Sequence, residues 1–258
     1  MRRFFQSSPF RFIHVWRRNQ LVWQKLALPS ILGNLADPLL YMLGLGYGLG
    51  KVLPSINGNS YLVFLAGGVI CSSTMMSASF ESMYSAFSRM QIQRTWEAII
   101  NTPVDLNDVI LGELTWAASK SLLSGAAVLL VAALLGATQS PLCLLILPLI
   151  ALTGLVFAGL GLMITAWAPN YDFFMYYFTL AITPMMMMCG VFFPVDQLPL
   201  PVQTFAQLLP LTHAVAMTRP LLDGQWPSHA LLHVLVLCGY AGVSYALCRR
   251  WLQQRLLK

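Results

Sequence analysis

Residues 141–167 read PLCLLILPLIALTGLVFAGLGLMITAW, a stretch without a single charged side chain. A helix rises about 1.5 Å per residue, so a helix of this length exceeds the roughly 30 Å hydrocarbon core of a bilayer. The strands of a transmembrane barrel would instead alternate apolar and polar residues, which this stretch does not do. The stretch therefore predicts a transmembrane helix.

The rest of the chain follows the same pattern. Its 258 residues are 57% hydrophobic and only 9% charged, with a mean hydropathy of +0.68, which excludes a water-soluble enzyme. Apolar runs between polar breaks predict an all-α, polytopic membrane protein. Its six predicted transmembrane helices lie at about 28–50, 61–82, 109–136, 141–167, 173–193 and 229–248.

The distribution of Lys and Arg predicts the orientation in the membrane. Twelve of these residues fall in the N-terminal segment, the 83–108 loop and the C-terminal tail, whereas only Lys51 and Arg219 fall on the opposite side. Cytoplasmic loops carry the excess of basic residues. Both termini are therefore predicted to be cytoplasmic, and the basic clusters are explained by topology and anionic lipid rather than by nucleic acid.

Two segments outside the six runs have distinctive patterns. Residues 1–27 form the first predicted unit. Aromatic and aliphatic residues recur there at helical spacing, opposite basic residues. This pattern is typical of an amphipathic helix that lies in the cytoplasmic interface. In 194–228, prolines break the helix and leave an apolar stretch too short to span. That segment predicts an outward-side re-entrant hairpin within a 28–258 transmembrane domain.

The loop between the second and third runs contains a short amphipathic helix, predicted over about 91–102. Trp96, Ile99 and Ile100 fall on one stripe, while Arg94 and Glu97 lie among the polar residues. A helix of this kind is suited to a groove on another protein, its apolar stripe supplying affinity and its charges supplying register. A helix that merely lies on the membrane would show the same periodicity.

Charged residues also fall inside predicted spans. Asp37, Glu113 and Lys120 are costly in hydrocarbon and are expected to face protein or water. Glu113 and Lys120 share one helical face. An ion pair that locks two helices, with Asp37 and Lys120 at similar depth, is favoured over a polar route or proton relay; Glu113 is the competing partner of Lys120.

The motif search indicates neither catalysis nor metal binding. The sequence has no HExxH, no GxSxG and no paired cysteine motif, so we assign no catalytic residue and no metal ligand. The histidines near the predicted outer boundary, His213, His229 and His233, are expected to be interfacial rather than metal-binding.

Two stretches resemble the permease subunits of ATP-binding-cassette type-2 exporters. Thr95-x-Glu97-Ala-Ile-Ile-x-Thr102-Pro103-Val104 resembles their coupling-helix region, and Gly190-Val-Phe-Phe-Pro194-Val-Asp196-Gln-Leu-Pro199 resembles their outward re-entrant segment. The similarity covers nearly the whole chain and is strongest to the nodulation-type lipo-oligosaccharide exporters. It implies a homodimer and two copies of a separate nucleotide-binding ATPase subunit, which would hold the ATP and Mg²⁺, so that this chain needs no cofactor.

Three functions are compatible with these features. The resemblance implies a non-enzymatic permease of the bacterial inner membrane that exports an amphipathic lipid-linked saccharide, with Arg94, Trp96, Glu97, Ile99 and Ile100 coupling it to the ATPase. A proton-coupled secondary transporter would use the charges inside the spans, but we detect no internal repeat in the sequence. A scaffold subunit would keep the coupling helix and need no pathway for a substrate.

The predicted topology can be tested by cysteine labelling in intact cells. Because the 83–108 loop is predicted to be cytoplasmic and 51–60 to face outward, a membrane-impermeant reagent should label Asn57→Cys and not Asn101→Cys. Labelling of the cysteine at position 101 from outside, or none at position 57, would reverse the assigned orientation.

Overall fold

The structure is a computed structural model, and it describes residues 10–52, 55–56, 59–138 and 140–256. Apart from a hairpin of two two-residue strands, β1 (Ser55–Ile56) and β2 (Asn59–Ser60), its regular elements are helices. The α-helices in chain order are α1 (Phe12–Gln24), α2 (Ala27–Leu40), α3 (Gly46–Gly48), α4 (Tyr61–Phe80), α5 (Thr95–Ile100), α6 (Leu106–Leu134), α7 (Ile146–Trp167), α8 (Asp172–Tyr177), α9 (Thr183–Met188), α10 (Leu200–Ala206), α11 (Pro210–Leu222) and α12 (Ala230–Leu256).

Short π-helical and 3-10 turns join several of these helices into longer ones. Within the described residues, five continuous helices are long and apolar enough to cross a membrane. They are Ala27–Lys51, Tyr61–Ile92, Leu106–Leu134, Pro141–Trp167 and Ala230–Leu256. The predicted span at 173–193 corresponds to a shorter helix, which runs through α8, a π-helical segment and α9 and ends at Met188.

Helix α4 is the centre of the bundle. It packs against α6, α7 and α11, and all but three of its residues are buried. Small residues make this possible, since they let neighbouring backbones approach closely. A Cβ on Gly68, for example, would lie 2.8 Å from the Cα of Val191.

Helix α1 lies against α6. Val15 is buried where Gly112 leaves room for it, because a Cβ on Gly112 would meet the Val15 side chain. The Trp16 indole donates a hydrogen bond to Ser119 Oγ at 3.0 Å, and the ring centroids of Trp23 and Trp116 are 5.9 Å apart. Helix α1 therefore packs one face on the bundle, and its amphipathic contact with the cytoplasmic interface stays a prediction.

Two predicted boundaries in the loop after the second span were wrong. The second span does not end at residue 82 but continues as helix to Ile92 through two π-helical segments, because the charged residues there are buried by pairing and need no exposed loop. The predicted 91–102 helix is shorter and is confined to α5, since Arg94 adopts a left-handed backbone conformation, with φ of 49°, that separates it from the preceding helix.

The segment 194–228 contains a 3-10 turn and the helices α10 and α11. Helix α11 packs against α4, α7 and α12, and it buries Leu211, Ala214 and Val215. Arg219 extends from it across α4, where its guanidinium lies 3.5 Å from the centroid of the Phe64 ring. The chain itself thus covers much of α11, whereas Leu200, Phe205 and Leu208 of the same segment are more than half exposed. The outward-side re-entrant hairpin stays a prediction.

The contact between Gly68 and the backbone after α9 can be tested by adding one methyl group. Gly68→Ala should destabilise the folded protein by about 1–3 kcal/mol, because the backbone at Val191 must move. Gly239→Ala is the matched control, since nothing lies within 4 Å of its added Cβ. Thermal unfolding of the purified variants measures both; equal stability of the two would contradict the close packing.

Candidate functional site

A buried cluster of four charged side chains joins the ends of α4 and α6. The charge cluster consists of Glu81, Arg89, Glu113 and Lys120. Arg89 Nη2 lies 2.5 Å from Glu113 Oε2 and 2.9 Å from Glu81 Oε1, and Lys120 Nζ lies 2.8 Å from Glu81 Oε2. Side-chain exposure is only 2% for Glu113 and 12% for Arg89. Two positive and two negative charges balance, as burial in a poorly polar environment demands.

Local helix geometry brings the four groups together. Glu113 and Lys120 are seven residues apart on α6, which is two turns and places them on one face. Glu81 and Arg89 belong to the two π-helical segments that follow α4. Such segments often occur at functional sites, and here they aim both side chains at α6.

Two indole groups complete the hydrogen bonding of the carboxylates. Trp96 Nε1 donates to Glu113 Oε1 at 3.1 Å, and Trp116 Nε1 donates to Glu81 Oε1 at 2.8 Å. Hydrogen bonds to charged groups stabilise by more than neutral ones, about 1.5–3 kcal/mol each. Helix α5 is therefore held to α6 by a polar contact in addition to its apolar packing.

The orientation of α5 revises how Trp96 takes part in coupling. Its side chain is fully buried, and Ile99 and Ile100 are partly buried against the same core. The apolar stripe that was predicted to fill a groove on a partner is thus used within the chain. Glu97 and Ala98, together with Arg94 before the helix, are exposed instead. Coupling through α5 stays a prediction, but its contact surface is this exposed face.

In the structure, the charged residues inside the spans have other ion-pair partners than the sequence predicted. Lys120 pairs with Glu81, and Glu113 pairs with Arg89 rather than with Lys120. The side chain of Asp37 lies outside the described part of the chain, so the Asp37–Lys120 pair stays a prediction. Sequence reasoning missed Glu81 and Arg89 because it placed Arg89 in a loop. The sequence did contain a signal for this pair. Glu81 and Arg89 are eight residues apart beside a predicted span, and this separation is close to two helical turns.

Arg18 extends the cluster towards α1. Its Nη1 donates to Asn19 Oδ1 at 3.0 Å and its Nη2 to Thr95 Oγ1 at 3.3 Å. Within the described residues it forms no ion pair. Burial lowers the pKa of Arg18, the positive charge of Arg89 lowers it further, and Glu113 opposes both effects. Arg18 is thus a half-buried cation that forms no ion pair with a carboxylate in the part of the chain that the structure describes.

Comparison with known proteins identifies the family. The model of the ABC-2 type transporter family matches residues 11–222. The chain belongs to the ABC-2 type transporter family. It is 49% identical to nodulation protein J of Rhizobium leguminosarum bv. viciae over 98% of this chain and 97% of that protein. It is 48% identical to nodulation protein J of Rhizobium meliloti strain 1021, over 97% of this chain and 96% of that protein.

A more distant relative supports the same assignment. The inner membrane transport permease YadH of Escherichia coli K12 is 23% identical over 77% of this chain and 75% of that protein. The resemblance seen in the sequence motifs is thereby confirmed, and the chain is an ABC-2 permease, a multi-pass transport subunit. The charge cluster lies within the matched residues, so the family domain contains it together with α5.

The observed partner of Lys120 can be tested by a double-mutant cycle. Glu81→Gln should cost about 3 kcal/mol or more of unfolding free energy, because it leaves Lys120 without its partner, and Lys120→Met should cost less, because Glu81 keeps its ion pair with Arg89. The double variant should lose at least about 1 kcal/mol less than the sum of the two. Unfolding by denaturant in detergent micelles measures all three.

The control cycle pairs Asp37→Asn with Lys120→Met. Additive losses are expected there if Glu81 is the partner of Lys120. Coupling of Lys120 to Asp37, with additive behaviour of Glu81 and Lys120, would instead favour the pair expected from depth in the membrane.

Proposed function

We propose that this ABC-2 permease exports an amphipathic lipid-linked saccharide, of the lipo-oligosaccharide class, across the bacterial inner membrane. It acts as a homodimer, and two copies of a separate cytosolic ATPase subunit supply the energy. Family membership supports the export function, and the two relatives named nodulation protein J support the substrate class. The chain itself performs no covalent chemistry.

The proposed topology has six spans with both termini in the cytoplasm. The helix from Asp172 to Met188 supplies the sixth span, because at about 1.5 Å per residue it extends about 26 Å, close to the hydrocarbon thickness. Helix α1 then lies in the cytoplasmic interface, where its exposed Leu21 and Val22 contact lipid. Helices α10 and α11 form the outward re-entrant segment.

The observation that carries the coupling proposal is the contact between Trp96 and Glu113. It attaches α5 to the charge cluster, which in turn joins α4 and α6 through the ion pairs of Arg89. A displacement of α5 by a partner would therefore move both helices as one body, which is the kind of rigid-body motion that alternating access uses. The exposed face of Arg94, Glu97 and Ala98 is the proposed ATPase contact.

A proton-coupled transporter remains the second candidate, and the charge cluster argues against it. Glu113 and Lys120, which would carry the proton, are both held in ion pairs with buried partners. Protonating Glu113 or deprotonating Lys120 would leave the buried charge cluster with an unbalanced charge. These residues are better suited to hold helices together than to exchange protons during transport.

A charge reversal on α5 tests the proposed contact. Glu97→Lys should weaken association with the ATPase subunit at least tenfold, about 1.4 kcal/mol, because it presents the wrong charge to the partner. Export should fall with it, while the fold is kept because Glu97 is exposed. Co-purification of the two subunits and an export assay in cells measure the two effects.

Asp196→Lys is the matched control, since Asp196 is an exposed acidic residue in the segment proposed to face outward. It should leave association unchanged. Normal association and export in Glu97→Lys would show that α5 does not contact the ATPase. Trp96→Ala is expected to differ from both, losing about 3–5 kcal/mol of stability because the indole is fully buried.

A further inference from the structure

A polar cavity of about 420 Å³ lies beside the charge cluster, between α1, α6 and the end of the α4 helix. Aromatic, hydrogen-bonding and charged side chains line it together, which is typical of a site for a polar group. Its lining includes Arg18, Asn19, Trp23, Tyr84, Trp116 and Lys120. On the outer rim, Val22 and Leu26 are more than half exposed. The cavity therefore has a polar interior and an apolar rim.

A larger cavity of about 620 Å³ lies further along α4, against α2 and α9. Its walls are mainly apolar, with Met76, Phe80 and Met186 among them. Hydroxyl groups of α4 interrupt these walls, and Ser77 Oγ is buried without a hydrogen-bond partner in the described structure. This apolar cavity has the size and lining of a site for a hydrocarbon chain.

A narrow space of about 20 Å³ lies between the two cavities. It shares Trp23 and Lys120 with the polar cavity and Ser124 with the apolar one. On the other side it is lined by Ile31 and Leu35 of α2. The three spaces thus follow one groove, polar at one end and apolar at the other, with α2 covering the constriction.

The charges and the unsatisfied hydrogen-bond donor in the polar cavity indicate which chemical groups its ligand carries. Glu81, Arg89 and Lys120 neutralise one another together with Glu113, which leaves Arg18 as a lining cation without an ion pair among the described residues. The cavity wall therefore favours a ligand that offers acceptor oxygens. Asn19 is 3% exposed, yet its Nδ2 has no acceptor within the described residues. A buried amide donor without a partner is costly, and a ligand oxygen would satisfy it.

The aromatic rings supply a second kind of contact. Trp23, Tyr84 and Trp116 line the same cavity, and the C–H face of a sugar ring packs on the electron-rich face of an aromatic ring. Hydroxyl and acetamido groups of a sugar would at the same time accept from Asn19 and from the half-buried guanidinium of Arg18. A phosphate could accept both of these hydrogen bonds but could not pack on the aromatic rings.

We propose that the groove is the loading site of this permease, in which the polar cavity holds the sugar head of a lipid-linked saccharide and the apolar cavity takes its hydrocarbon chain. The inference rests on the proposed export function and adds the site and the orientation of the substrate. The sugar lies at the end of the groove nearest α5, and the chain points along α4. For one molecule to occupy both cavities, the α2 side chains that line the constriction must move out of the groove.

Photolabelling of the full-length chain tests the site. The probe is dodecyl β-maltoside with a diazirine at the end of its alkyl chain, added to protein that was purified in a sugar-free detergent and placed in phosphatidylcholine nanodiscs. Labelling should be saturable and should map to the walls of the apolar cavity, at Met76 and Met186. Unlabelled dodecyl β-maltoside should compete at least tenfold better than either free maltose or dodecyl phosphate.

Matched variants test the polar cavity. Arg18→Gln and Trp23→Leu should each raise the apparent Kd of the probe at least fivefold. Arg17→Gln and Trp226→Leu are the controls, because Arg17 and Trp226 are exposed and do not line the cavity. The midpoint of thermal unfolding shows whether each variant is folded. If a variant is not folded, the labelled positions on the unmodified chain decide whether the probe binds in the groove.

Three results would overturn the proposal. Unsaturable labelling spread over the exposed face of α12 would show partitioning into lipid, and stronger competition by dodecyl phosphate would assign the cavity to an anionic headgroup. Equal affinity of all four variants would exclude the polar cavity. Specific labelling without ATP-driven export would reject the export function and keep the site, whereas export without specific labelling would reject the site alone.

Discussion

Arg89 is the residue on which this architecture depends most directly. It bonds both carboxylates of the charge cluster, at 2.5 Å to Glu113 and 2.9 Å to Glu81. A buried carboxylate without a counter-charge would be so costly that the two helices could not approach as they do. The guanidinium offers several donors in a planar fork, which a lysine could not replace at a site with two acceptors.

The need to pair buried charges also links α5 to the membrane-spanning helices. Once Glu113 is committed to Arg89, its remaining lone pairs accept from the Trp96 indole, and this bond determines which side of α5 faces the bundle. The buried side belongs to the fold and the exposed side is available to a partner. Structural and coupling roles are therefore divided between opposite faces of one six-residue helix.

The cavities follow from the packing around α4 and α6. Small side chains along α4 bring its neighbours close, while α2 contributes little burial of its own and covers a groove. The polar end of the groove adjoins the charge cluster because Glu81, Arg89 and Lys120 belong to both. A substrate at that end would contact Arg89, whose partner Glu113 holds α5, so the proposed loading and coupling sites would be linked through this one ion pair.

Sequence alone determined the helical membrane class, the positions of most spans and the common face of Glu113 and Lys120, because these depend on hydropathy and helical period, which are local properties. It also contained the family motifs. Tertiary structure decided that Lys120 pairs with Glu81, that Trp96 points inward and that the second span continues to Ile92. A charged residue is buried only if another helix brings it a partner, and the period of one helix carries no information about which helix that is.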